Sequence, residues 1–225
     1  MFNAKLLSPE VVKDGLVLWL DGHDFDNSLA PTTIRDRSGL ANNGTCSNFA
    51  NTAASGGTTA NGIQFDGVND IINCGHATSF NSSYISTECV ISIAGTPSTS
   101  GRIIDKETTT GTTPYSFFIL ATKYLTFYVA GVAVVQSANT LTLNTPTHYV
   151  VTTDGTNANI YVNGVLDNHA AYTGTLVTNA YDVTLGNNTA LNRQFGGIIY
   201  LTRIYNRALT ATEVLQNYSA SRNNS

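Results

Sequence analysis

Between His148 and Leu166 the chain reads HYVVTTDGTNANIYVNGVL. Its side chains alternate with a period of two: Tyr149, Val151 and Thr153 fall on one face, His148, Val150 and Thr152 on the other. That period belongs to a strand, because a helix returns to the same face every 3.6 residues. Two dipeptides, Asp154-Gly155 and Asn163-Gly164, interrupt the alternation. Both tolerate the positive φ angles that tight hairpins demand. Beyond the first turn, Ile160 and Val162 share a face opposite Asn159, Tyr161 and Asn163. The segment reads as strand, turn, strand, turn, strand. One face of such a meander fills a layer between sheets, and the other meets solvent or a partner.

Strand-like segments of this kind recur along the chain. Residues 15–21 (GLVLWLD) are nearly continuous in apolar residues, which marks a central strand. Further strands are predicted over 63–66, 70–73, 88–94, 102–106, 115–120, 124–130, 132–136, 182–186 and 197–205. Many short strands separated by Gly, Asn and Thr turns indicate an antiparallel sandwich or barrel. One helix is predicted near the end. Thr210 and Glu213 have the spacing of a capping box, and Leu209 and Val214 that of a hydrophobic staple. It is expected to continue through Leu215 and Tyr218 and to fray in the polar tail from Ser219.

The 225 residues suit one sandwich with a full core. The small, polar stretch from Asn48 to Asn61 reads as a surface loop, since strands on both sides of it need partners. Residues 1–14 read as an N-terminal arm and 15–225 as a single domain with a polar C-terminal tail. Charged residues make up 12%, with a net charge of −4, and Thr, Asn and Ser fill the polar positions. That surface excludes a nucleic-acid partner, which needs clustered Lys and Arg, and binding to an anionic membrane. No run of about 18 apolar residues is present to span a bilayer. Met1–Lys5 leads to Ser8-Pro9-Glu10 without the apolar core of a secretory signal. Cys46, Cys74 and Cys89 are odd in number, widely spaced and fit no zinc pattern, so they read as free, buried thiols.

Several segments together resemble a known family. IRDRSGLANNGT (Ile34 to Thr45), IQFDGVNDII (Ile63 to Ile72), GRIIDK (Gly101 to Lys106), the meander and GGIIYLTRIYNRALTATEV (Gly196 to Val214) follow in the order seen in laminin-G-like domains of the concanavalin A-like lectin/glucanase superfamily. The resemblance runs from Gly15 to Tyr218. It implies an all-β, concanavalin A-like jelly-roll sandwich of two antiparallel sheets with a short C-terminal helix.

The resemblance also frames the candidate sites. Some relatives hydrolyse glycans with acids two residues apart on one strand, in the manner of two carboxyl groups flanking the scissile bond. Here Asp105 precedes Glu107 by that spacing. Glu88 has no partner acid, Glu213 belongs to the capping box and Glu10 to the arm. The histidines are scattered and no Gly-x-Ser-x-Gly elbow is present, so no enzyme activity is expected. Many relatives hold a structural calcium, and the resemblance places Asp21 and Asp36 among its ligands. Tyr200 and Leu201 stand where the family's other acids would be. The competing reading has Asp21, Asp24 and Asp36 capping turns through backbone N–H groups. FDGVND (Phe65 to Asp70) reads as a turn, and Trp19 as core. Phe2, Leu6, Leu7, Val11 and Val12 need cover, from the sandwich or from a neighbouring subunit, which makes them candidate docking residues.

The expected function is non-enzymatic surface recognition. The first form is a bacteriophage virion protein, a capsid decoration, fibre or tail appendage, docked on other virion or surface proteins or a homo-oligomer and binding host glycans. Its place would be the virion surface. The alternative is an extracellular or cell-surface carbohydrate-binding or adhesion domain, and a glycan hydrolase is the third class.

Overall fold

The computed structural model describes residues 9–25, 32–50, 58–59, 62–98, 100–106, 114–129 and 132–222. Among the described residues sixteen strands in chain order form two antiparallel sheets of eight. The strands are β1 (Leu16–Asp21), β2 (Thr33–Ile34), β3 (Gly44–Ser47), β4 (Thr58–Thr59), β5 (Gly62–Asp66), β6 (Ile71–Asn73), β7 (Ile85–Ile93) and β8 (Ser100–Lys106). They continue as β9 (Tyr115–Leu120), β10 (Leu125–Val129), β11 (Val132–Gln136), β12 (Thr147–Thr153), β13 (Asn157–Val162), β14 (Val165–Ala171), β15 (Thr184–Leu185) and β16 (Gly196–Tyr205). The first sheet runs β14-β13-β12-β7-β16-β5-β4, with β1 also beside β16. The second runs β11-β10-β9-β8-β15-β6-β3-β2. The meander forms β12, β13 and β14 at one edge of the first sheet, joined by the two turns read from Asp154-Gly155 and Asn163-Gly164. Gly155 and Gly164 both have positive φ, and Asn163 shares it at 51°.

The layer between the sheets is apolar. Phe65, Ile91, Val151, Ile160 and Ile204 from the first sheet meet Ile104, Phe117, Phe127 and Leu185 from the second. Phe25, Phe49, Phe65 and Phe195 form an edge-to-face row with centroids 5.4, 5.2 and 5.9 Å apart, a geometry that adds to their area burial. Cys46, Cys74 and Cys89 are free and buried. Burial pushes the Cys46 thiol up to about 12, so it stays protonated and inert.

β16 decides which side chains face which layer. Strict alternation along GGIIYLTRIY would place Ile199, Leu201 and Arg203 on one face. Instead the register shifts between Ile199 and Leu201, leaving Tyr200 as a bulge. Past the bulge Leu201, Arg203 and Tyr205 face outward, and Ile204 joins the inner layer. At the start of β16 only glycine fits at position 197, where a Cβ would come within 2.2 Å of the Ser92 carbonyl oxygen.

The outer face of the first sheet is covered rather than solvated. Helix α1 (Ala211–Arg222) and the segment before β1 lie over it. Val12, Leu16, Val150, Tyr161, Tyr205, Leu209 and Val214 make a second apolar cluster there, with Trp19 half-buried at its side. The capping box forms as read: Thr210 N donates to Glu213 Oε2 at 2.8 Å, and Glu213 N to Thr210 Oγ1 at 3.3 Å. Leu209 and Val214 both join the cluster, as a staple requires. The helix does not fray at Ser219, because Ala220 and Ser221 are buried against the sheet. Val11 and Val12 are each 8% exposed and find their cover within the chain. These two are therefore not available as docking residues; Phe2, Leu6 and Leu7 lie outside the described residues. Among the described residues no helix is long and apolar enough to cross a membrane.

The bidentate Arg207 guanidinium, with N–O distances of 2.6 and 3.0 Å, and the Thr210 donors hold the Glu213 carboxyl at about 2, below its ordinary 4.5. A carboxyl depressed on folding stabilises the fold above its unfolded value and loses that contribution as pH falls through the folded one. Urea denaturation of Glu213→Ala should show a loss of about 1 kcal/mol at pH 7. The gap to the unchanged protein should narrow between pH 4.5 and 2.

Candidate functional site

A cleft of about 400 Å³ opens at one rim of the sandwich. Three chain segments meet there: the turn after β5, the loop after β7 and the residues entering β16. The turn is held by its own acids. Asp66 Oδ1 accepts from Val68 N at 2.7 Å, and Asp70 Oδ2 accepts from Asp66 N at 2.8 Å. Gly67 supplies the positive φ of 76° and approaches Gly196 closely enough that a Cβ would sit 3.4 Å from its Cα. Ala94 N bonds to Gly196 O, tying the loop to β16. The cleft walls then present the Asp66 carboxylate, the Gln194 amide, the Thr96 and Ser98 hydroxyls and backbone groups beside Gly67 and Gly95. The FDGVND segment is a turn, as read, and the same Asp66 that shapes it borders the cleft.

Asp21 and Asp36, the residues placed in a calcium site by resemblance, have other partners. Asp36 Oδ1 accepts from Trp19 N and Ser38 N at 2.9 and 2.8 Å. Its Oδ2 accepts from Ser38 Oγ and Asn42 N at 2.6 and 2.9 Å. Four donors saturate the carboxylate and fasten the 36–42 loop to β1. Asp21 accepts from His23 N and pairs with Arg37. Arg37 also holds Asp24, with Nε–Oδ2 at 2.6 Å and Nη2–Oδ1 at 2.8 Å. That hydrogen bond keeps the Asp24 carboxyl below its ordinary value. A guanidinium thus neutralises the acids after β1. Among the described residues no three His, Cys, Asp or Glu side chains gather as a metal would require.

A second concentration of charge lies under α1. Glu88 on β7, His148 on β12 and Arg203 on β16 face outward side by side, and all three are buried. Glu88 Oε1 takes Arg203 Nη1 and His148 Nε2, the latter at 2.9 Å. Its Oε2 accepts from Asn217 Nδ2 at 2.7 Å. Asn217 also bonds to the Tyr205 hydroxyl and, through Oδ1, accepts from Val12 N at 2.9 Å. Ser221 Oγ accepts from Arg203 Nη1 at 3.2 Å. Burial alone would push the Glu88 carboxyl up, but Arg203, His148 and Asn217 together hold it below its ordinary value. The Arg203 guanidinium stacks 4.7 Å from the Trp19 ring, with Lys13 Nζ 4.3 Å from the same ring. With the Arg37 guanidinium 5.6 Å from it as well, Trp19 is a platform for three cations on the outer face rather than a member of the inter-sheet layer.

The acids weighed for hydrolysis are not brought together. Asp105 on β8 is 1% exposed and ion-paired with Arg102 Nε at 3.0 Å, and Glu107 lies outside the described residues. Glu88 is sealed beneath α1 on the other sheet.

Residues 66–215, more than half of the chain, match the family model of the concanavalin A-like lectin/glucanases superfamily, laminin G type. The chain belongs to that superfamily. No curated protein sequence matches it. Among solved structures, the fold of this superfamily member is similar to Trypanosoma rangeli sialidase in complex with the inhibitor DANA. The TM-score is 0.71 at 16% identity, over 96% of this chain and 36% of the sialidase. It is also similar to the binding domain of botulinum neurotoxin DC in complex with SialylT (TM-score 0.64, 15% identity, 92% of this chain, 52% of that one). The binding domain of Paraclostridial mosquitocidal protein 1 gives 0.66 at 16% identity over the same shares. The chain thus spans about a third to a half of these proteins.

Glu88→Ala should leave Arg203 buried without its counter-charge and cost about 3–5 kcal/mol, measured by urea denaturation. Asp36→Ala should cost about 2 kcal/mol in the same assay, because four donors lose their acceptor.

Proposed function

We propose that this chain is a non-enzymatic carbohydrate-recognition module that acts at an extracellular or cell surface. The rim cleft carries the reading. It is open and about 400 Å³ in volume, and its polar groups come from three separate segments. A carboxylate, an amide, two hydroxyls and uncovered glycine backbone are the groups that hydrogen-bond a sugar's vicinal hydroxyls. Superfamily membership adds support, and similar folds occur in proteins solved with sialic acid and with SialylT. A hydrolytic role has less support, since Asp105 is ion-paired with Arg102 and Glu88 is committed to Arg203 and His148. The apolar arm is one of the grounds for attachment to a virion, and Val11 and Val12 of that arm are already packed in the sandwich.

A glycan array probed with the whole chain should show saturable binding. Asp66→Ala should weaken it about tenfold, the loss of one hydrogen bond to a charged group. Silence across a broad array, or an Asp66→Ala protein that binds unchanged, would remove this reading.

A further inference from the structure

The rim cleft is built to accept hydrogen bonds more than to give them. Asp66 is the one charged side chain among the described residues that line it. Its Oδ1 is taken by Val68 N at 2.7 Å, and no donor among the described residues meets its Oδ2. The Gln194 amide is oriented by its own bond, in which Nε2 donates to Leu191 O at 2.9 Å. A carbonyl only accepts, so the nitrogen must face it. One amide hydrogen is thereby spent, and Oε1 remains as an acceptor. Backbone donors around the cleft are spent in the same way. Asp66 N goes to Asp70 Oδ2 at 2.8 Å, Val68 N to Asp66, and Ala94 N to Gly196 O at 3.2 Å.

Positive charge is kept out of this space. No Lys, Arg or His is among the described lining residues. Arg102, whose N bonds to Arg193 O, holds its guanidinium 4.3 Å from the Phe118 ring and its Nε 3.0 Å from Asp105 Oδ1. Arg193 precedes Gln194 in the chain but does not line the cleft. The other charged residue of the turn, Asp70, is a second carboxylate. An anion entering here meets a carboxylate with no cation beside it. Like charges brought together in this way exclude a wrong ligand. A nest of free backbone N–H groups holds an anion without a cation, but here three of those groups already have acceptors.

We infer that the rim cleft selects uncharged glycans and rejects acidic ones, those bearing sialic acid, uronate or sulfate. The inference rests on the carbohydrate reading of this cleft and names its class of ligand. A neutral hexose brings several hydroxyl groups, each with a proton to give. Asp66 Oδ2 and Gln194 Oε1 accept them, and a bond to the carboxylate is charge-assisted and the stronger of the two. The Thr96 and Ser98 hydroxyls, both on exposed residues, rotate to donate to ring or glycosidic oxygens. A sialic acid carboxylate or a sulfate only accepts, and so finds neither a charge nor a surplus of donors. The preference departs from the sialic acid with which a sialidase of similar fold was solved.

The test probes the full chain on an array of matched pairs, each neutral glycan beside the same glycan carrying sialic acid, uronate or sulfate. Neutral members should bind about tenfold more tightly at low salt. Raising NaCl to about 1 M, where the Debye length falls to about 3 Å, should narrow that gap in the unchanged protein. Asp66→Asn keeps an Oδ1 acceptor for Val68 N and removes the charge. It should raise the ratio of acidic to neutral binding about tenfold. Acidic members that bind the unchanged protein as tightly as neutral ones overturn the inference and leave the carbohydrate reading standing. So does a gap that salt leaves as it was, or that a folded Asp66→Asn protein retains, since the shape of the acidic cap then sets it. Silence across every pair removes the carbohydrate reading itself, and this inference with it.

Discussion

A charged pair with nowhere to go but under a cover organises this molecule. Glu88 and Arg203 sit opposite each other on adjacent central strands, on the face that a two-layer sandwich would leave in water. Here they are fully buried. Two desolvated charges persist only when they are paired and their remaining hydrogen-bonding groups are met. The chain meets them in part, with His148 on β12, Asn217 and Ser221 on α1, and the Trp19 ring on β1 beside the guanidinium, whose Nε and Nη2 are buried without a hydrogen-bond partner. The network thereby fixes where the helix lies, and through the Asn217–Val12 bond it fixes the segment before β1 as well. Both ends of the described chain close over one ion pair.

The same cover leaves the open clefts at the margins of the sandwich. Where α1 ends, the sheet reappears beside His148 and Tyr218 as a smaller cleft. Where β5, β7 and β16 end, loops enclose the larger one. Charges near β1 are satisfied locally by Arg37, so the acids there serve to hold the 36–42 loop and the turn after β1. Rigid strands thus carry polar groups outward at their ends, where side chains on neighbouring segments converge on a common space.

Much of the architecture was legible because the strands alternate. Segments such as 102–106, 115–120 and 132–136 appear as strands almost residue for residue. The brief strands Thr33–Ile34, Gly44–Ser47 and Thr58–Thr59 were not legible, since two to four mostly small residues show no period. The helix start was visible in its capping box, but its length was not. Its buried face includes Asn217 and Ser221, so no apolar stripe announces it. The charged network left a faint trace, one acid and one base inside otherwise apolar runs, Glu88 and Arg203. Pairing them across 115 positions needed the bulge at Tyr200, which no local pattern reveals.

The order of side chains along each strand was settled by the sequence, because alternation and turn dipeptides act between near neighbours. That is enough to specify a two-sheet sandwich and the entry into its final helix. Which residues share a site was decided only by the tertiary structure. Asp66, Thr96 and Gln194, or His148 and Tyr218, become neighbours when distant strands pair and a helix docks. Their chemistry arises from burial and proximity, properties that a linear chain does not possess until it has folded.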